Sequence, residues 1–95
     1  MERFTQKKTG QEEKYVLGEQ EIMQNPYGYT GAAVDRLGVF EDVFEDLTAE
    51  QERLSAQLKE LRLQGKTKSY QFRELMGKKL VNSNVLSLLR TYGVQ

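Results

Sequence analysis

The chain has 95 residues and a mass of 11.0 kDa, enough for one small domain, and its 14 basic and 14 acidic side chains cancel. With 38% apolar and 29% charged residues and a mean hydropathy of −0.68, no stretch approaches the roughly 20 apolar residues of a membrane helix. There is no cysteine and no histidine, which excludes disulfides, thiol nucleophiles, zinc sites of the Cys/His type and imidazole acid–base chemistry.

The first 25 residues are polar and weakly patterned. Residues 3–7 and 14–18 predict two short strands around the turn Lys8-Thr9-Gly10-Gln11, with Phe4, Tyr15 and Leu17 able to join a core. The alternative is a flexible arm that orders on binding. Behind the charges of residues 1–8 stands no apolar run, so no secretory signal is expected. Asn25-Pro26-Tyr27-Gly28-Tyr29-Thr30-Gly31 holds the only proline and two glycines and reads as a loop. Its tyrosines, Tyr27 and Tyr29, either fold back as a lid on the core or supply exposed aromatic surface for recognition. Thr30 is the expected N-cap of the helix that follows.

From Ala33 the chain is strongly periodic. Ala33, Leu37, Phe40, Phe44, Leu47, Gln51, Leu54, Leu58 and Leu61 are spaced alternately four and three apart, and only Gln51 is polar. Two structures satisfy this spacing. One is a single amphipathic helix over residues 31–64, about 50 Å long at 1.5 Å per residue. The other is a pair of helices broken or kinked near Thr48, where Thr48-Ala49-Glu50-Gln51 has the form of a capping box. No glycine or proline lies between Gly38 and Gly65, which favours the continuous helix. Val34 and Val43 widen the apolar stripe, as in a globular bundle rather than a two-stranded coiled coil.

Gly65 reads as a helix stop. Residues 69–80 then predict a short helix with Phe72, Leu75, Met76 and Leu80 on one face and Gly77 within it. Asn82-Ser83-Asn84 offers caps for a last short helix carrying Val85, Leu86, Leu88, Leu89 and Tyr92, closed by Gly93. The expected fold is therefore mainly α: a long central helix, two short C-terminal helices and a small N-terminal β-hairpin or arm. It is expected as one domain over residues 1–95, with a helical core over 31–95. A chain this small, without disulfides, is expected to bury further surface by forming a homo-oligomer.

The zero net charge conceals segregation. Residues 31–52 carry one basic and seven acidic side chains, and residues 53–95 carry nine basic and two acidic. Either the two stretches neutralise each other within the fold or one face meets a charged partner.

Asp35-Arg36-Leu37 through Phe40-Glu41-Asp42, followed by Leu47-Thr48-Ala49-Glu50-Gln51, resembles a motif of small phage and prophage proteins of Gram-positive bacteria. That motif reads roughly "RLaxYEDtGLTPEE", often after a Met-Glu-Arg-Leu-Thr-like start, to which Met1-Glu2-Arg3-Phe4-Thr5 is similar. The run Gly65-Lys66-Thr67-Lys68 through Phe72-Arg73-Glu74-Leu75 looks like tails in that group. The resemblance covers about half the chain and implies origin as a phage accessory gene, not an activity. This chain departs from the motif at Asp42-Val43-Phe44-Glu45-Asp46-Leu47-Thr48-Ala49, which has neither the Thr-Gly nor the proline that would interrupt a helix.

Paired carboxylates such as Glu41/Asp42 and Glu45/Asp46 fall on the solvated face of a charged helix rather than in the cleft that acid–base work requires, so no enzyme, metal or cofactor is expected. Lys66, Lys68, Arg73 and Lys78 are candidates to hold phosphates while Tyr27, Tyr29 or Tyr70 stacks on a base. With the resemblance, this leads to an expected non-enzymatic cytoplasmic protein that antagonises host antiviral defence. It would sequester a signalling nucleotide or block a defence protein. The alternative is a DNA-binding regulator, since two short helices after a loop have a helix-turn-helix outline and the C-terminal stretch is basic. The acidic stretch and a pI near 6.3 oppose phosphate contact.

Overall fold

The computed structural model describes residues 1–8 and 15–95, which form two compact units, Met1–Glu41 and Asp42–Gln95.

In the first unit, strands β1 (Thr5–Lys7) and β2 (Tyr15–Leu17) pair antiparallel, with Thr5 opposite Leu17 and Lys7 opposite Tyr15. The expected turn at Thr9-Gly10 lies outside the described residues. A 3₁₀ turn over Glu19–Glu21 follows, closed by the Glu21 amide on the Gly18 carbonyl at 3.2 Å. Strands β3 (Met23–Asn25) and β4 (Gly28–Thr30) then form a second antiparallel hairpin where the sequence suggests only a loop.

The expected fold is corrected here to two hairpins. Asparagine, proline and glycine occupy the first, second and fourth turn positions, each suited to its place. Asn25 ties the turn from both sides of its amide: Oδ1 accepts from the Tyr27 amide at 3.0 Å, and Nδ2 donates to Thr30 Oγ1 at 3.0 Å. Thr30 is thus held by the hairpin, and the expected N-cap moves on. Gly31, at φ +135°, turns the chain into the helix, and its carbonyl accepts from the Asp35 amide at 3.0 Å.

Helix α1 (Ala32–Leu63) runs for 32 residues without interruption. Thr48 does not cap a second helix. Its hydroxyl donates to the Phe44 carbonyl one turn earlier at 2.9 Å, the bond by which threonine is accommodated inside a helix. Residues 32–41 of α1 belong to the first unit and residues 42–63 to the second.

α1 stops in a Schellman motif at Gly65 (φ +72°), with the Lys66 amide on the Leu61 carbonyl at 2.8 Å and the Gly65 amide on Arg62 at 3.0 Å. Ser69 then caps α2 (Tyr70–Thr91), its Oγ accepting from the Phe72 amide at 3.1 Å. α2 is one helix of 22 residues, which corrects the expectation of two short ones.

The break was expected at Asn82-Ser83-Asn84, and two of these side chains are engaged across the helix pair. Asn82 Nδ2 donates to Glu50 Oε1 at 3.1 Å, and Ser83 Oγ accepts from Gln51 Nε2 at 2.8 Å. With their polar groups satisfied by α1 they have no reason to turn back on their own backbone.

These bonds, together with Arg62 against Phe72 and Met76, set α1 and α2 antiparallel within the second unit. Leu54, Leu58 and Leu61 of α1 are buried, Leu58 completely, and Phe72, Leu75, Leu86 and Leu89 of α2 are half-buried. Val85, Leu88 and Tyr92, expected on the same face as Leu86 and Leu89, are exposed, as is Leu80. A single unbroken helix carries its own phase from Phe72 onward, and that phase turns them away from α1.

Gln51 sits in the seam with Oε1 buried and unpartnered, while Nε2 serves Ser83 Oγ and the Lys79 carbonyl. Gln51→Leu removes the orphaned oxygen and fills the seam with carbon, and Ser83 remains open to water. The variant should be about 1 kcal/mol more stable, read as a higher urea midpoint at unchanged m. A lower midpoint would show that the two donated bonds outweigh the orphaned acceptor.

Candidate functional site

A hollow of the first unit lies between its N-terminal segment and the start of α1. It has a volume of about 620 Å³ and is lined by Met1, Arg3, Phe4, Thr5, Leu17, Ala33, Arg36, Leu37 and Phe40. That volume lies within the roughly 300–1,000 Å³ usual for small-molecule sites.

Arg36, one turn into α1, reaches back to the N-terminal segment. Its Nη1 donates to the Glu2 carbonyl, and its guanidinium carbon stands 3.7 Å from the centroid of the Phe4 ring. Stacking on the ring face attracts the cation to the aromatic quadrupole and fixes the guanidinium plane. Arg3 is held through Thr5: Nε donates to the Thr5 carbonyl at 3.1 Å and Nη2 to Thr5 Oγ1 at 3.2 Å.

Each guanidinium has five N–H donors, so both retain donors for an anion. Leu37, 57% exposed, and Phe40, 39% exposed, leave apolar surface open at the same hollow. Two fixed cations beside aromatic and aliphatic walls suit a ligand with a flat or apolar body and an anionic group.

Ala33, Leu37 and Phe40 are the first three members of the periodic stripe. Here they line the cleft, whereas farther along the stripe Leu54, Leu58 and Leu61 are buried in the second unit. Arg3, Phe4 and Arg36 were not among the binding residues expected from the sequence, where Phe4 was read only as able to join a core. The stack joins positions 4 and 36, and no local spacing signals a partner so far along the chain.

The residues expected to bind stand elsewhere. Tyr27, at the tip of the second hairpin, and Tyr29, on β4 opposite Gln24, are both exposed, so neither acts as a lid. Lys66, Lys68, Tyr70, Arg73 and Lys78 belong to the second unit and are exposed on the interhelical loop and α2. Arg73 turns toward that loop, its Nη2 donating to the Lys68 carbonyl at 3.4 Å. The helix-turn-helix outline does not form, because Val81-Asn82-Ser83-Asn84 lies inside α2.

The acidic residues Glu41, Asp42, Glu45 and Asp46 are exposed along α1. Among the described residues, no group of three or more acidic side chains is placed to hold a metal ion. No helix among them is long and apolar enough to cross a membrane.

Comparison with protein-family models, with curated proteins and with solved structures returns no match.

Proposed function

We propose that this chain is a phage accessory protein that acts by binding, without chemistry, in the cytoplasm of the infected bacterium, and that its cleft takes a signalling nucleotide of host defence. The reading rests on one observation: two of the stretches that carry the phage resemblance, Met1-Glu2-Arg3-Phe4-Thr5 and Asp35-Arg36-Leu37 through Phe40, meet at this cleft. They bring two guanidiniums and two phenylalanines to one hollow. A base fits the apolar wall and phosphates fit the free guanidinium donors. With neither histidine nor cysteine in the chain, sequestration is the simpler role than turnover.

A thermal-shift panel of linear and cyclic nucleotides tests the reading. A true ligand at a hundredfold excess over its Kd adds about 2.7 kcal/mol of stability. Leu37→Glu, which places a negative charge at an exposed wall position with no hydrogen bond to lose, should weaken binding at least tenfold and leave helical content unchanged. If no nucleotide shifts the melt, the reading fails and a defence protein becomes the target. If duplex DNA is retarded with steep salt dependence, the DNA-regulator reading takes its place.

A further inference from the structure

The second unit carries an apolar row on α2 that α1 does not cover. The α1-facing side is marked by Phe72, Leu75, Asn82, Leu86 and Leu89, through the bonds from Asn82 to Glu50 and from Gln51 to Ser83. Val81, Val85, Leu88 and Tyr92, spaced four, three and four apart, lie about 120° around the helix from that side. They are 60%, 38%, 63% and 86% exposed. Toward the start of α2 the row continues through Gly77, where an added Cβ would meet nothing within 4 Å, and the exposed Glu74 to the exposed Tyr70. The fully apolar core of this unit is three leucines, so the row is surface the unit does not cover by itself.

Charge indicates what covers it. The helix pair is antiparallel, so residues 42–52, with five acidic and no basic side chains, lie beside the C-terminal half of α2. That half adds only Arg90, for a net charge of −4 at this end (five acidic, one basic). Residues 53–79, which include the interhelical loop, carry eight basic and two acidic side chains, net +6. A second copy laid antiparallel sets each acidic end against a basic one, whereas a parallel copy stacks like on like.

We propose that the α2 row is the interface with a second copy of this chain, in an antiparallel, two-fold symmetric pairing centred on Val81. Two-fold pairing matches residues equally far on either side of the centre. Val85 then packs over the partner subunit's Gly77, where the missing side chain lets the helices approach, Leu88 stands beside the partner subunit's Glu74, and Tyr92 meets the partner subunit's Tyr70. This interface is independent of the cleft.

Sedimentation equilibrium on the full chain should give about 22 kDa, twice the 11.0 kDa chain. Leu88→Glu should return the mass to that of one chain with helical content unchanged. Orientation is read by disulfide trapping, since the chain has no native cysteine. Val81→Cys should close with itself. Tyr92→Cys should close only when mixed with Tyr70→Cys. A wild-type mass of 11.0 kDa at every concentration overturns the pairing and leaves the row to a different protein. A Leu88→Glu variant that stays at double mass, or Tyr92→Cys closing with itself, overturns the interface as drawn.

Discussion

Leu58→Ala should cost about 3 kcal/mol and lower the melting temperature by roughly 15 °C in a chain of this size. Among the described residues Leu58 is the one side chain with no exposure at all, flanked on α1 by the buried Leu54 and Leu61. Truncation removes its transfer free energy and leaves a cavity that neighbours on two rigid helices cannot close. Small domains have about 0.05–0.15 kcal/mol of stability per residue, so a large part of the total is at stake. Leu80→Ala is the control: Leu80 is 62% exposed, and its truncation should cost less than about 1 kcal/mol. A far-UV circular dichroism melt of both variants separates the cases. Equal costs would mean that the α1–α2 seam is not the core of the second unit.

Gly31→Ala should be the most damaging single methyl group in the first unit, at about 3 kcal/mol or more. Two penalties coincide there. The backbone at φ +135° is a conformation that L side chains rarely adopt. An added Cβ would also collide with the Glu21 carbonyl oxygen and stand 3.0 Å from the carbonyl carbon and 3.1 Å from the Ile22 Cα. Relief would require shifting backbone. The contrast is Gly38→Ala, seven residues on and inside α1, where the Cβ meets nothing within 4 Å. That change should gain about 1 kcal/mol of helix propensity.

Amide NMR provides the readout. In Gly31→Ala, resonances of both hairpins should lose dispersion while those of α2 hold their positions, and any ligand of the cleft should lose affinity. An unchanged spectrum would show that residues 21–22 and Gly31 are not packed as described.

The helix stop at Gly65, the start at Ser69 and the face of α1 from Phe44 to Leu61 were open to local reading. Each depends on residues within four or five positions of one another: a glycine able to take positive φ, a hydroxyl three residues from the amide it caps, apolar side chains one turn apart. The end of the first C-terminal helix was not open in the same way. Asn82-Ser83-Asn84 is a good cap by composition, and only the Glu50 and Gln51 side chains, 32 residues earlier, make it helix interior. The second hairpin was hidden differently. Proline and glycine announced a turn correctly, but the three-residue strands on either side are too short to show an alternation. At the cleft, Arg36 in isolation is one more charge on an amphipathic helix, and its stack on Phe4 exists only once the N-terminal segment is folded.

What the sequence determined by itself is the chemistry on hand and the helical period. It contains no histidine or cysteine, has an acidic stretch followed by a basic one, and holds an apolar stripe from Ala33 to Leu61 interrupted only at Gln51. Tertiary structure decided how that stripe is used, lining a cleft at Ala33, Leu37 and Phe40 and buried in the second unit at Leu54, Leu58 and Leu61. It also decided that α2 continues through its polar middle. The physical reason is the same in both cases: backbone rules act over one helical turn, whereas the fate of a buried polar or aromatic group depends on the partner it finds, and these partners lie about 30 residues away in the chain.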